Sequence, residues 1–362
     1  MTATGTRSPA PGTTAPLPHG LVAQHPRLPR LAAVGLFGLG AGIGVLLSLL
    51  TGFNPVLAVI YAVGLGTLVL YGVSRAVEGA RTSFDRFVTC VVTVAFAVAT
   101  VPLVSLVWTV LSRGLRRLDA EFFNSSMLGI VGEGGGAYHA ILGTLVITAL
   151  TAVISVPIGL LTAIYLVEYG TGRLKRAITF LVDVMTGIPS IVAGLFAYAV
   201  FAIFFGPGVR MGIMGAIALS VLMIPVVVRS SEEVLKLVPN ELREAAYALG
   251  VPKWRTILKV VIPTAIAGLA TGVTLAIARV VGETAPLLIT VGIINGTNLD
   301  PFDGRMATLP VFAYYQLTQP GFPPEYAIDR AWTAALVLII LVMALNVVAR
   351  LISRFFAPKP GR

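Results

Sequence analysis

The sequence predicts an all-α protein that crosses a membrane several times, and three observations support this prediction. Hydrophobic residues make up 56% of the 362 positions, whereas charged residues make up only 12%. The mean hydropathy is +0.91, far above what a soluble chain of this length carries. The apolar residues also gather in long runs, and a helix needs about 20 of them to cross a bilayer. The predicted fold class is therefore a polytopic helical membrane protein.

Eight apolar runs have the length of a spanning helix. Residues 1–30 precede them, are rich in Pro, Thr and Ala, and predict a disordered cytoplasmic tail. Because the first run begins only at Leu31 and is as long as a full span, we expect it to stay as a helix and not to be cleaved as a secretory signal. The predicted spans are 31–50, 55–74, 87–111, 138–167, 178–205, 211–228, 264–292 and 331–353.

The distribution of lysine and arginine predicts the orientation, because short loops rich in these residues stay on the cytoplasmic side. The rule places both termini and the basic loops at 75–86, 173–176 and 236–259 in the cytoplasm. One cluster, Arg113 with Arg116 and Arg117, follows the third span on the predicted outer side and conflicts with the rule. The other loops contain more basic residues in total, so they decide the predicted orientation.

The charge and cysteine content exclude several classes of function. The net charge is +10, but the basic residues are scattered along loop edges without interleaved aromatic residues, so we predict contact with anionic lipid headgroups and no nucleic acid. Cys90 is the only cysteine and lies in a predicted span, which excludes a disulfide within the chain. No histidine has a second ligand at helical spacing, so we predict no metal site.

The polar segment 239–263 is the most informative part of the sequence. Pro239 suits the first turn of a helix, Gly250 suits a helix end that needs a left-handed residue, and Pro252 suits the start of a second helix. Apolar residues recur at helical spacing on both sides of Gly250. The segment therefore predicts a helix-turn-helix between the sixth and seventh spans.

This segment resembles the EAA loop of binding-protein-dependent ABC importer permeases. That loop reads Glu-Ala-Ala, three residues, Gly, nine residues, Ile, one residue, Leu-Pro, and the matching residues are Glu244, Ala245, Ala246, Gly250 and Pro263. Val260 and Ile262 replace the usual Ile and Leu and keep the apolar character. The resemblance implies a type I ABC importer transmembrane subunit in a prokaryotic cytoplasmic membrane, with a loop that couples it to an ATPase. The residues alone leave open a loop without a special role.

Ionisable residues inside spans are costly and usually face a cavity or a partner, so Arg279, Glu283 and Asp183 stand out. Arg279 and Glu283 are four residues apart, on one face of a continuous helix, where they can neutralise each other. A guanidinium can also replace the hydration shell of an oxyanion, because its planar donors match two oxygens. Both a structural ion pair and an anion contact are open. We expect Asp183 to pair with a neighbouring arginine or a backbone group.

The segment from Arg279 to Pro286 reads Arg-Val-Val-Gly-Glu-Thr-Ala-Pro. It resembles the Arg-x-x-Gly-Glu-Thr-Ala-Pro signature of phosphate-specific permeases of the PstA type. The resemblance extends over residues 86–362 and covers six of the eight spans. It implies a phosphate path, and we expect Arg279 to be the first contact. Glu283 can hold Arg279 in position when the path is empty, and our hypothesis is that it also accepts a hydrogen bond from a protonated phosphate oxygen that sulfate lacks. Arg229 matches a basic family position and meets the anion near the inner exit, or it is a plain anchor at the membrane edge.

The predicted organisation follows from this resemblance. It consists of a tail at 1–30, a two-span extension at 31–85, a six-span permease core at 86–355 and a tail at 356–362. Within the core, Gly187, Pro189 and Pro225 predict helix breaks that let spans bend during gating. Gly and Pro are also common in ordinary membrane helices, so the breaks alone do not identify a transporter.

The sequence contains no Gly-x-x-x-x-Gly-Lys-Ser/Thr phosphate-binding loop, so we predict a non-catalytic chain whose energy comes from a separate subunit. The resemblance implies a PstC-type permease as heterodimer partner, ATP-binding PstB-type subunits and a phosphate-binding PstS-type protein. Three alternatives are open. They are a permease for sulfate or molybdate, an ion-driven secondary transporter with Arg279, Glu283 and Asp183 as a proton relay, and a scaffold that senses phosphate without moving it.

Overall fold

The computed structural model describes residues 28–52 and 54–356. Nearly all of the predicted tails at 1–30 and 356–362 lies outside these residues. The chain divides into two compact units, Met1–Ser105 and Leu106–Arg362. The predicted boundaries at residues 85 and 355 are finer than this division and stay predictions.

The first unit contains a tightly packed helical hairpin. Its backbones approach closely because glycines lie at the crossing. A Cβ added to Gly40 would lie 2.6 Å from the carbonyl oxygen of Leu65, and one added to Gly44 would lie 2.4 Å from that of Tyr61. Small residues at a crossing are how membrane helices gain packing contacts without a hydrophobic driving force. The helices are α1 (Arg30–Leu50), α2 (Pro55–Glu78) and α3 (Ala80–Gly114), which continues into the second unit.

A buried carboxylate organises one end of this hairpin. Glu78 accepts hydrogen bonds from Ser74 Oγ at 2.6 Å, from the backbone N–H of Leu28 at 2.6 Å and from Arg86 Nε at 2.6 Å. Since a buried charge is tolerated only when it is paired and hydrogen-bonded, this set of contacts fixes the turn between α2 and α3.

The second unit holds the remaining helices of the described chain. They are α4 (Ala120–Asn124), α5 (Tyr138–Ile164), α6 (Gly172–Thr186), α7 (Ser190–Phe205), α8 (Gly212–Lys236), α9 (Asn240–Ala248), α10 (Lys253–Thr256), α11 (Ile262–Val281), α12 (Ala285–Thr290), α13 (Leu309–Thr318) and α14 (Pro324–Phe356). A first π turn, Tyr165–Tyr169, follows α5. A second π turn, Ile257–Val261, joins α10 to α11 in one continuous helix.

The core of this unit is formed where α5, α8 and α11 pack together. Its buried side chains include Ile147 from α5, Met223 and Val227 from α8, and Val280 from α11. Gly159 of α5 faces Val227 so closely that an added Cβ would lie 2.6 Å from its Cγ1. This packing makes α8 the central helix of the unit.

The described residues include seven helices long and apolar enough to span a membrane, or eight if one bent pair counts as a span. That pair is α6 with α7, which meet at an angle of 107°. The predicted fifth span, 178–205, is therefore not one straight helix, because the residues around Gly187 and Pro189 separate its two parts. The predicted seventh span, 264–292, is shifted, since its helix begins at Lys253 and ends at Val281.

The predicted break at Pro225 does not occur. Helix α8 runs without interruption from Gly212 to Lys236, with Pro225 buried inside it. A proline removes one backbone hydrogen bond, and neighbouring helices packed on both sides hold the helix together around that gap. Pro225 is therefore a buried residue inside a continuous helix.

Candidate coupling loop and anion path

The segment 239–263 forms the helix-turn-helix that its sequence predicts. Helix α9 follows Pro239, and Gly250 takes the left-handed conformation with φ +76°. The turn is closed by the N–H of Gly250 on the carbonyl of Tyr247 at 2.9 Å, and α10 begins directly after Pro252. No side chain crowds Gly250, so its backbone conformation alone is the reason for glycine at this position.

The second helix of the loop does not stop at Pro263. It continues through the second π turn into α11, so the loop and the spanning helix form one rod. Pro263 cannot donate a backbone hydrogen bond, and its ring would clash with the carbonyl four residues earlier in a regular helix. The π turn widens the helix directly before Pro263 and relieves this clash.

The loop carries an uncovered apolar surface. Leu249 is 83% exposed and Trp254 is 54% exposed, and Leu242, Tyr247 and Leu258 are exposed as well. In α9 only Ala246 is buried. Glu244 and Ala245 are also exposed, and the Glu244 carboxylate has no ion pair among the described residues. Several exposed large apolar side chains on one short polar loop are typical of an interaction surface.

Arg279 and Glu283 do not form the predicted pair. Helix α11 ends at Val281 and is capped by Gly282, so Glu283 lies beyond the helix, where its N–H donates to the carbonyl of Val280 at 3.1 Å. Arg279 is exposed in the last turn of α11, and Glu283 is partly buried. Neither side chain has an ion pair in the described part of the chain. The spacing of four residues predicted a shared face only for a helix that continued.

The residues after Glu283 pack tightly between α7 and α8. Pro286 is the second residue of α12 and lies against α7, where a Cβ added to Gly194 would be 2.7 Å from the Cα of Pro286. On the other side, a Cβ added to Gly215 of α8 would lie 2.9 Å from Leu287 Cδ2. Two glycines thus make room for α12, and the fixed position of this helix holds the turn that carries Glu283.

Arg229 lies in a balanced cluster of charges near the end of α8. It forms ion pairs with Asp183 of α6 and, at 2.7 Å, with Glu232. Glu232 also pairs with Lys236 at 2.7 Å. Asp183 therefore pairs with a neighbouring arginine, as its sequence context predicts. Two cations face two carboxylates in this cluster, so little positive charge is left for another anion.

One ion pair of this region is not predicted from the sequence. Glu168 in the first π turn and Arg243 in α9 form an ion pair at 2.8 Å, and their side chains are only 5% and 12% exposed. They are 75 positions apart, so no local pattern connects them. The available signal was a carboxylate directly after the fourth span, at the start of a loop that is otherwise basic.

The fold and the coupling loop define a class of protein, the transmembrane subunit of a binding-protein-dependent importer. The sequence model of the family described as "Binding-protein-dependent transport system inner membrane component" matches residues 155–362. The membrane subunit of a bacterial alginate ABC transporter shares the fold, with a TM-score of 0.54 and 12% identity over 76% of this chain and 97% of that chain.

Similar proteins identify the particular family. The chain is 50% identical to "Phosphate transport system permease protein PstA 1" of Mycobacterium tuberculosis strain H37Rv, over 74% of this chain and 86% of the relative. It is 40% identical to "Phosphate transport system permease protein PstA" of Pasteurella multocida, over 70% and 88%. The chain belongs to the binding-protein-dependent transport permeases and, among them, to the family of PstA permeases. It is thus a non-catalytic, multi-pass membrane subunit that works with an ATPase and a substrate-binding protein.

Proposed function

We propose that this chain translocates inorganic phosphate across the cytoplasmic membrane, as the permease subunit of an ATP-driven importer that works by alternating access. The printed names of its relatives, phosphate transport permeases at 40 to 50% identity, support the choice of phosphate. The structural observation that carries the proposal is Arg279, an exposed cation in a predicted span that has no ion pair in the described part of the chain.

An uncompensated guanidinium near the end of a spanning helix needs an anion or water, because a lone charge in an apolar environment is costly. Glu283 would be the obvious partner, but it lies beyond the end of α11. A transported oxyanion fits the requirement, since the guanidinium presents donors to two oxygens at once. Arg279 is therefore the first contact that we assign to phosphate.

Glu283 has a separate role in this proposal. Because its carboxylate is not occupied by Arg279, it is free to accept a hydrogen bond from a protonated oxygen of phosphate. Sulfate is fully ionised near neutral pH and offers no such proton. Repulsion between Glu283 and sulfate, set against a hydrogen bond to phosphate, would give the path its selectivity.

Arg229 takes a smaller part in the proposed path. Asp183 and Glu232 already compensate its charge, so it attracts a passing anion less than Arg279 does. Its place near the coupling loop still suits a contact at release, when the inward-facing state opens. Displacement of the exposed Asp183 by phosphate would be the event that frees Arg229.

The coupling loop provides the connection to ATP. We propose that the exposed apolar surface around Leu249 and Trp254 seats in a groove of a PstB-type ATPase subunit, with Glu244 at its edge and Ala246 and Pro263 fixing the fold of the loop. ATP binds only to that partner, and this chain carries no cofactor. A PstC-type permease would complete the path, and a PstS-type protein would deliver phosphate. The orientation follows, with the coupling loop and both termini in the cytoplasm of a prokaryote.

The test is reconstitution in liposomes with the partner permease, the ATPase and the phosphate-binding protein, followed by uptake of labelled phosphate. We expect uptake that needs ATP, continues when the proton gradient is collapsed and is competed by arsenate far better than by sulfate or molybdate. Stronger competition by sulfate or molybdate would favour the other oxyanion permease. Uptake that depends on the proton gradient but survives inactivation of the ATPase would favour the secondary transporter. No uptake by an assembled complex would favour the scaffold.

A further inference from the structure

The coupling helix α9 is fastened to the end of α5 by the ion pair between Glu168 and Arg243, which we call the Glu168–Arg243 clamp. Arg243 donates to Glu168 Oε1 through Nε at 3.0 Å and through a terminal nitrogen at 2.8 Å. It also donates to the carbonyl of Leu235 in the last turn of α8 at 3.1 Å, to the carbonyl of Val238 just beyond α8 at 2.6 Å, and to Asn240 Oδ1 in α9 at 3.2 Å. One guanidinium thus joins α9 to two spanning helices.

The neighbouring residue of the same π turn reaches the other half of the coupling loop. Tyr169 lies under Lys253 of α10, with the ammonium nitrogen 5.0 Å from the ring centroid. Glu168 and Tyr169 are consecutive, so the first π turn contacts the loop on both sides of Gly250. A π turn exposes backbone groups and rotates the side chains that follow it, which lets two consecutive residues reach two different helices.

The burial of the clamp gives it rigidity. Both side chains are almost withdrawn from solvent, and a buried ion pair that loses one partner leaves the other charge uncompensated. The exposed pairs nearby lack this property, since surface ion pairs contribute little. The clamp therefore resists displacement of α9 relative to α5.

We propose that Glu168 and Arg243 are positioning residues that carry the motion of the coupling loop into the core of the permease. The proposal rests on the proposed function, in which an ATPase moves this loop. Helix α11 receives such motion directly, because it continues the loop as one rod. Helix α5 is separated from α9 in the chain by α6, α7 and α8, but the clamp joins α9 to the π turn that follows α5. Since α5 packs along α8, movement of the clamp moves both together.

The experiment measures phosphate uptake and ATP hydrolysis in the same reconstituted complexes, carrying Glu168→Ala, Arg243→Ala or both changes. We expect phosphate moved per ATP to fall about two- to thirtyfold in each single variant, the range for residues in a coupling network. The double variant should lose no more than the worse single variant, because the two residues act as a unit. Arg173→Ala is the matched control, an exposed arginine in the next helix without an ion pair in the described chain.

Two results would overturn the proposal. One is an unchanged ratio of phosphate to ATP in both single variants, and the other is a double variant whose loss is the product of the single losses. If the alanine variants fail to assemble, Glu168→Gln and Arg243→Lys replace them, and a wild-type ratio in both then overturns the clamp. Failure of the phosphate proposal is seen separately, in wild-type liposomes that accumulate no phosphate. In that case the clamp is tested by ATP hydrolysis alone, by comparing how strongly the binding protein stimulates it in the wild type and in the variants.

Discussion

The two ends of the rod formed by α10 and α11 differ in how nearby charged residues are paired. The rod is 29 residues long, about 43 Å at the rise of an α-helix. Near the coupling loop, Arg243 pairs with Glu168, and Arg229 pairs with Asp183 and Glu232. At the far end, Arg279 and Glu283 are close in sequence but unpaired. The charges that join helices near the loop are paired within the chain, whereas Arg279 and Glu283, which we propose to contact phosphate, have no ion pair in its described part.

This difference has a physical reason. A buried ion pair needs ideal geometry to offset the loss of hydration, so a pair such as the Glu168–Arg243 clamp holds its helices in one arrangement. A cation that is neutralised by its own neighbour attracts an anion less strongly than a cation that is not. The end of α11 at Val281 separates Arg279 from Glu283 and keeps both available.

The largest effect is expected at Arg279, because its charge is the proposed first contact with phosphate. Arg279→Gln should lower phosphate uptake about thirtyfold or more, since loss of one partner of a charged contact costs roughly 2–5 kcal/mol. The amount of assembled complex should not change, because the side chain is exposed and has no ion pair in the described chain. Uptake by proteoliposomes is the measurement, and Arg350→Gln is the control on an exposed arginine of α14. Normal uptake in Arg279→Gln would contradict the proposed path.

The next largest effect is expected at Gly250, at the other end of the rod. Gly250→Val forces a β-branched residue into the left-handed region, at about 1–2 kcal/mol, or roughly five- to thirtyfold in the population of the native turn. We expect a comparable fall in transport-coupled ATP hydrolysis. Gly72→Val is the control, because Gly72 is helical and also has open space around it. Equal coupling in the two variants would mean that the turn does not transmit the motion.

These two sites also differ in how far the sequence could predict them. The turn at Gly250 depends on local rules, since proline and glycine fix backbone angles whatever lies around them, and the structure agrees. The pair at Arg279 was predicted from helical spacing, which failed because the helix stops at Gly282. Gly282 and Pro286 are local signals of a helix end, but glycine and proline are also common inside membrane helices, so the long apolar run carries more weight in a prediction from sequence.

Long-range contacts explain the remaining differences. The Glu168–Arg243 clamp joins positions 75 residues apart, and it follows only from the three-dimensional packing of α5, α8 and α9. The same holds for Pro225, whose local effect on a helix is to break it. Packing in the core decides otherwise. Apolar runs predict spans well because the bilayer imposes their length. The bend between α6 and α7 lies inside one such run, and Gly187 and Pro189 predict it correctly.

A third, smaller effect is expected at Glu283 and concerns selectivity. Glu283→Gln removes the negative charge that would repel sulfate but keeps an oxygen that accepts a hydrogen bond. We expect the preference for phosphate over sulfate to fall about five- to tenfold, because a hydrogen bond to a charged group is worth roughly 1–1.5 kcal/mol more than one to a neutral group. Competition of labelled phosphate uptake by unlabelled sulfate measures this preference. Glu325→Gln, at the first turn of α14, is the control on another carboxylate. An unchanged preference would leave Arg279 as the only assigned contact.

The smallest effect is expected at Asp183, which belongs to the paired charges near the coupling loop. Its side chain is 59% exposed, and Arg229 keeps its second partner, Glu232, when Asp183 is changed to Asn. Exposed ion pairs contribute about 0–1 kcal/mol, so phosphate uptake in Asp183→Asn should stay within about fivefold of the wild type. Glu232→Gln is the contrasting variant, because this carboxylate is only 9% exposed and binds both Arg229 and Lys236. A loss in Asp183→Asn as large as that in Arg279→Gln would place Asp183 in the transport path and end the distinction between the two ends.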